Sequence, residues 1–437
     1  MLTFNCCKVI SRKINTIEQR ARCHLHETVT RDGNDRRSPM DNGNEALRKP
    51  FALTRRMFLA SLSASLLPGS LSVLGSGHPA AAAATSRPLV GAIRWDAWYA
   101  PGSQPTEAMK QSLGPQKYRW RAPFFGTQMN RDPNALDFSA SIQTEMDKEI
   151  DQAIFAGLDY WAFAGYGANH PMSKALYVFR TRPKAAELKY CMFTELGRWG
   201  SAAKLSPLPQ EHIGLMADKN YLRVEGDRPL YFLGFIKGAD VQRSWGGVQG
   251  LRAQLSKFRS DANAAGLAEP YIVLAGDTKF LSQEAANLSA DAVGSYAITT
   301  GNGRGSFADL AQYAEKGWNA LAASQVPVVP TVMTGWDRRP RIEHPVPWEK
   351  SQRPGDGITN FYTAPTKQEL ANHLAQSISW VNSRAPDRRS PVVLIYAWNE
   401  NDEGGWLVPT LPCQTDRLEA LREVLKATAR AASKNLC

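Results

Sequence analysis

The amino-acid sequence predicts an α/β chain folded as a (β/α)8 TIM barrel, a single domain after an N-terminal signal segment. Three observations lead there. Eight apolar runs recur between residues 88 and 401, each bounded by Gly, Pro or Asp. The runs are continuous rather than alternating, as expected of parallel strands covered on both faces. Helix-like stretches separate them, and that alternation points to a barrel, with a doubly wound open sheet as the alternative.

In chain order the strand candidates are PLVGAIRWDAWY (88–99), LDYWAFAGYG (158–167), LKYCMFTEL (188–196), RPLYFLGFI (228–236), PYIVLAGD (270–277), DAVGSYAI (291–298), VPVVPTVMTGWD (326–337) and SPVVLIYAWNEN (390–401). The stretch SIQTEMDKEIDQAIFAG (141–157) places Ile142, Met146, Ile150 and Ile154 on one helical face. Ser141 is positioned to cap that helix and Gly157 to stop it. GVQGLRAQLSKFRSDANAAG, SFADLAQYAEKGWNALAAS, TKQELANHLAQSISWVNS and TDRLEALREVLKATARAASK read as helices in the same way.

A barrel makes a demand about position, because the loops after the strands surround one shared mouth. The residues predicted there are Asp96, Trp98, Tyr99, Tyr166, Glu195, Asp277, Tyr296, Trp336, Asp337, Trp398 and Asn399. Aromatic faces suit sugar C–H surfaces, while carboxylates and amides suit hydroxyls, so a carbohydrate is the expected partner. Each residue also has a plainer use, the aromatics as caps on the barrel core and the aspartates as turn or helix caps.

The last run ends in YAWNENDEGGW (396–406), which crowds Glu400, Asp402 and Glu403 behind a buried strand. A tight turn on Gly404 and Gly405 would aim Glu400 and Glu403 into the same pocket. Glycoside cleavage needs one carboxyl to protonate the leaving oxygen and a second group as base or nucleophile. Neighbouring carboxyls also separate in pKa, which lets one keep its proton near neutrality.

YAWNENDEGGWLVPT resembles the W-N-E-W-x-E-G signature of the glycoside hydrolase family 99-like barrels, which include the WbsX-type proteins. GWDRRPR (335–341) resembles the G-W-D-x-x-P-R segment of the WbsX type, and YCMFTELGRW (190–199) is similar to its W-A-N-E-N-W strand end. The likeness spans most of 88–412 and implies a retaining glycosidase, α-mannoside-type among the options. In the endo-α-mannosidases of that family the first motif glutamate deprotonates the sugar 2-hydroxyl to form an anhydro intermediate, and the second is general acid and base. Carried over, these are Glu400 and Glu403. Asn401 stands where the family has Trp, Asp402 where the mannosidases have His, and Thr194 where Asn precedes Glu195. These departures leave the sugar open, and a pairing of Glu403 with Glu195 or an Asp across the barrel stays open too.

The remaining features bound the setting. Residues 1–84 carry 12 Lys/Arg against 6 Asp/Glu, so most of the +11 net charge lies in the leader and no nucleic-acid partner is expected. TRRMFLASLSASLLPGSLSVLGSGHPAAAAAT (54–85) resembles a twin-arginine export signal, with Arg55–Arg56 before an apolar stretch and an A-x-A site near Ala84. Residues 40–84 are therefore read as the signal, 85–437 as the catalytic domain, and 1–39 as an extension or a misassigned start ahead of Met40. The expected partners are the twin-arginine export machinery and a glycan, the expected location periplasmic or secreted, without stable membrane insertion after cleavage. Cys6, Cys7 and Cys23 lie in the leader, Cys191 in a strand, and Cys413 with Cys437 are candidates for a disulfide. His170, His212, His344 and His373 are too scattered for a metal signature, so neither metal nor cofactor is expected. Two rival readings are a glycosyltransferase, though D-x-D is absent from the body and GNGRG (301–305) lacks a phosphate-loop Lys-Ser/Thr, and a non-catalytic carbohydrate-binding barrel.

Overall fold

The computed structural model describes residues 87–129, 132–138, 142–300, 303–350, 352–425 and 436–437. The leader with its arginine pair and cysteines, Ser141, and the start of GNGRG lie outside the described residues.

All eight apolar runs form strands: β1 Leu89–Arg94, β2 Tyr160–Ala164, β3 Lys189–Glu195, β4 Arg228–Ile236, β5 Tyr271–Gly276, β6 Ala292–Gly294, β7 Thr331–Met333 and β8 Val392–Tyr396. Each pairs in parallel with its neighbour from β1 through β6, and β8 joins β7 to β1, so that Gly91 stands between Tyr160 and Leu394. A parallel bridge between Val293 and Val328 links β6 to the approach of β7 and brings the ring to near closure. The open doubly wound sheet is thereby set aside.

The strands are mostly apolar because barrel interior and helical cover bury both faces. The helix Ile142–Ala156 turns its Met146, Ile150 and Ala153 onto the barrel and ends where Gly157 takes φ 83°. There Leu158 N–H donates to Ala153 O and Gly157 N–H to Ile154 O, closing the last turn. The helices Phe307–Leu321 and Lys367–Asn382 start on reciprocal caps, Ser306 with Asp309 and Thr366 with Glu369. Helix Asp416–Leu425 completes the cover, and a Cys413–Cys437 disulfide ties the chain after β8 to its last residue.

Among the segments that depart from simple strand-helix alternation, two concern the mouth. Between β1 and its helix lie the helix Gln104–Leu113 and the hairpin Thr127–Met129 with Asp132–Asp137. After β7 comes a long loop containing the short helix Arg339–Glu343. Both lie at the carboxyl ends of the strands, where they add walls to the mouth.

Candidate active site

The end of β8 explains how two glutamates come to share a pocket. Beyond Tyr396 the chain makes a short 3-10 turn, Asn401–Glu403, introduced by Glu400 and stopped by Gly404 at φ 88°. Residues three apart lie one above the other in such a turn, so Glu400 and Glu403 project to the same side. Glycine is required at 404, because a Cβ there would sit 2.3 Å from Asp337 N of the β7 loop. Asp337 N–H donates to Glu403 O at 2.7 Å, sewing the two loops together at this contact. A Cβ on Gly405 would meet the Tyr396 ring at 2.4 Å, so its absence admits that ring.

Both glutamates line a cavity of about 1030 Å³ at the mouth of the barrel. Every strand tip contributes to it. Trp95 follows β1, Tyr166 follows β2, Phe193 and Glu195 belong to β3, Phe235 to β4, Asp277 follows β5, Tyr296 follows β6 and Trp336 follows β7. Tyr166 accepts from Trp95 Nε1 at 2.9 Å and stacks on His170, and Arg198 lies over its ring while pairing with Glu195 at 3.4 Å. Asp277 both faces the cavity and caps the following helix by accepting from Phe280 N.

The centre of the site is Arg341, supplied by the short helix in the β7 loop and 4% exposed. Its Nη2 meets Glu400 at 3.1 Å, its Nη1 meets Glu403 at 2.5 Å and its Nε meets Asp402 at 2.6 Å. Arg338 adds a second cation, 3.2 Å from Glu403 and paired with Glu349, which also lies 3.4 Å from Arg341. The Tyr296 hydroxyl donates to Glu400 and the Tyr396 hydroxyl to Glu403. Burial pushes both tyrosine hydroxyls well above their ordinary range, so they remain donors.

Four carboxylates thus share two guanidiniums, and the network is short of positive charge. Burial pushes the Glu400 carboxyl up, the Glu403 charge adds to this, and Arg341 offsets only part, which leaves Glu400 at about 8. Burial acts upward on Glu403 as well. There Arg341 and Arg338 together, with the Tyr396 hydroxyl, outweigh it and hold the carboxyl below its ordinary range. Near neutrality the arrangement offers one carboxylic acid and one carboxylate within reach of a single cation.

Six of the expected substrate contacts sit elsewhere. Side chains alternate across the end of β1, so Trp95 faces the cavity while Arg94 and Asp96 turn outward beneath the helix Ile142–Ala156. Arg94 is fully buried there, paired with Asp96 at 2.6 Å and with Glu149 at 2.5 Å. Trp98 packs on Phe125 and Phe138, and Tyr99 is buried beside Arg94. Trp398 packs on Trp161 and donates from Nε1 to Glu149, so it plugs the core. Asn399 accepts from Trp95 N at 2.7 Å and donates to Asp96, fixing β1 against the β8 loop. Asp337 is held by Arg121 and Arg339, which locks the β1 and β7 loops together. In each of the six the side chain is engaged by protein partners.

Arg341, Arg338, Trp95, Trp348, Tyr396 and Phe235 were not expected as site residues. The two arginines lie inside the quoted GWDRRPR, and Trp95 was reachable from the same alternation that buries Asp96. Trp348 packs on Trp95 with ring centroids 5.5 Å apart, but nothing in its local sequence marks it.

No protein-family profile matches the chain, and no curated protein does. Two solved structures of the GH99 endo-alpha-mannosidase from Bacteroides thetaiotaomicron, one in complex with bis-tris-propane, are similar at 15% and 16% identity. They cover 77% and 78% of this chain and 98% of those chains, with TM-scores of 0.45 and 0.44. A GH113 beta-mannanase from Alicyclobacillus acidocaldarius, in complex with ManMIm, is similar at 10% identity, over 70% of this chain and 97% of that one, with a TM-score of 0.34.

Proposed function

We propose that the chain is a glycoside hydrolase acting on a polysaccharide or oligosaccharide, with Glu400 and Glu403 as its acid–base pair. The observation that carries this reading is the pair itself. Two buried glutamates with opposed ionisation meet at one guanidinium, inside a cavity walled by tryptophan, tyrosine and phenylalanine. The charges favour Glu400 as the group that protonates the leaving oxygen, because its surroundings resist ionisation. Glu403, held ionised by Arg341 and Arg338, serves as the base or nucleophile. This reverses the roles that the resemblance to family 99 implies.

Export through a twin-arginine signal is part of the proposal, and the Cys413–Cys437 disulfide favours an oxidising compartment. The test is incubation of the protein with α-mannan and a panel of bacterial exopolysaccharides, followed by mass analysis of released sugars. Release by the wild type and its loss in Glu403→Gln are expected. Retained glycan binding without release in the wild type would instead mark a carbohydrate-binding barrel. An activated aryl glycoside of the released sugar then separates the two roles. Glu400→Gln should recover most of its rate on that substrate, whose leaving group needs no proton, and Glu403→Gln should not.

A further inference from the structure

The strand β4 carries an irregularity at the cavity. Leu233 pairs with Leu274 and Ile236 with Gly276, so Gly234 and Phe235 together stand opposite the single residue Ala275. The extra residue is Phe235, at φ 58°. A bulge commonly places glycine in this left-handed conformation, and a bulky aromatic there is strained. Glycine is present one position earlier, where it serves a different need, since a Cβ on Gly234 would sit 2.1 Å from the Phe193 ring.

The strained ring is only partly covered by packing. Phe235 is 43% exposed while its strand neighbours are buried. The exposed part faces the cavity, and the covered part leans on Tyr296 at 4.9 Å between ring centroids. Phe193 closes the group, 5.2 Å from Tyr296. Tyr296 in turn donates its hydroxyl to Glu400, so this aromatic wall runs directly up to the acid. Beside it on the same and neighbouring strand tips are the polar groups Glu195, Lys237 and Asp277, which line the same cavity.

Resting on the glycosidase reading, we propose that the Phe235 ring is a stacking platform for the pyranose bound beside Glu400, with the bulge holding the ring up into the cavity for that purpose. The apolar C–H face of a sugar covers the exposed ring, and hydroxyls at its rim meet the polar groups Glu195, Lys237 and Asp277 that flank the ring. Backbone strain retained at an exposed aromatic inside a cavity is accounted for by a ligand that uses the ring.

The experiment compares the full-length wild type with Phe235→Gly, Phe235→Ala and Phe235→Trp. Each is run through affinity gels containing α-mannan or one of the bacterial exopolysaccharides, and each is melted by thermal unfolding. Phe235→Gly should bind the retarding glycan roughly 3- to 10-fold more weakly, the worth of one lost aromatic contact. Its Tm should stay level or rise, because glycine relaxes the left-handed backbone. Phe235→Trp should keep the retardation. A wild type that is retarded while Phe235→Gly is retarded equally overturns the platform and leaves the glycosidase reading standing. A lowered Tm in Phe235→Gly also overturns it, since the ring would then be core. No retardation of the wild type by any glycan overturns the glycosidase reading, and the platform with it.

Discussion

Replacing Glu400 by Gln tests the charge distribution at the site without relying on a substrate. In the folded protein Glu400 stands at about 8, against 4.5 for an ordinary glutamate. The folded state therefore holds this proton more tightly than the unfolded state does. Stability on this account is greatest below pH 4.5 and falls as pH rises towards 8, because the buried carboxyl must ionise next to Glu403. At ~1.4 kcal/mol per pH unit the full span would amount to about 5 kcal/mol, and sharing of the proton with Glu403 reduces it to roughly 2–4 kcal/mol. Glu403 acts in the other direction but in another window. Its depressed pKa contributes stability above the ordinary glutamate range, lost only as pH falls below it. Glu149, raised to about 7 by burial against the pull of Arg94, adds a similar slope to both proteins and cancels in the comparison. Urea unfolding at pH 5, 6.5 and 8.5 should thus show Glu400→Gln gaining on the wild type by roughly 2–4 kcal/mol across the series. Parallel pH dependences for the two would refute the reasoning.

Other expectations follow from the same contacts. Arg341→Met should lower stability by about 3–5 kcal/mol in urea melts and abolish glycan release, because it strands three buried carboxylates. Arg341→Lys should restore little of either, since one ammonium cannot bridge three partners along a planar fork. Gly404→Ala should cost roughly 1–3 kcal/mol and reduce kcat more than KM, because the added methyl drives the β7 loop away from the turn that aims Glu403. Cys413→Ser should lower unfolding stability by about 3 kcal/mol, given the 24-residue separation that the disulfide spans, with glycan release unchanged at room temperature.

The barrel was legible because a strand covered on both faces is mostly apolar, and all eight runs are, with exceptions such as Arg94 held by buried partners. The position of Glu400 and Glu403 was legible for a related reason, since carboxylates directly after such a run have only the strand tip to occupy. Asp96, Trp98 and Trp398 show what was not legible. Tips carry side chains to both sides of the barrel wall, and a count of acids and aromatics does not separate inner from outer without fixing the register from Arg94, whose partner Glu149 lies 55 residues later in a helix. Arg341 was hidden for a different reason. A cation within a basic run reads as surface, and only its contact with a loop 59 residues away gives it three acidic partners.

That last contact locates the chemistry of the site in an unexpected place. Glu400 and Glu403 are three residues apart in one turn, both buried, and each receives one tyrosine hydroxyl. Within the β8 segment the differences are that Tyr396 serves Glu403 and that the Asp402 charge adds to the upward push on Glu400. Further asymmetry enters from the β7 loop, because Arg341 reaches both carboxylates whereas Arg338 reaches only Glu403. The backbone bond from Asp337 to Glu403 and the close approach at Gly404 fix where Arg338 arrives, so the loop contact sets which carboxyl gives up its proton. On the proposed reading, the position of Arg338 in the β7 loop decides which of the two glutamates serves as the acid and which as the base.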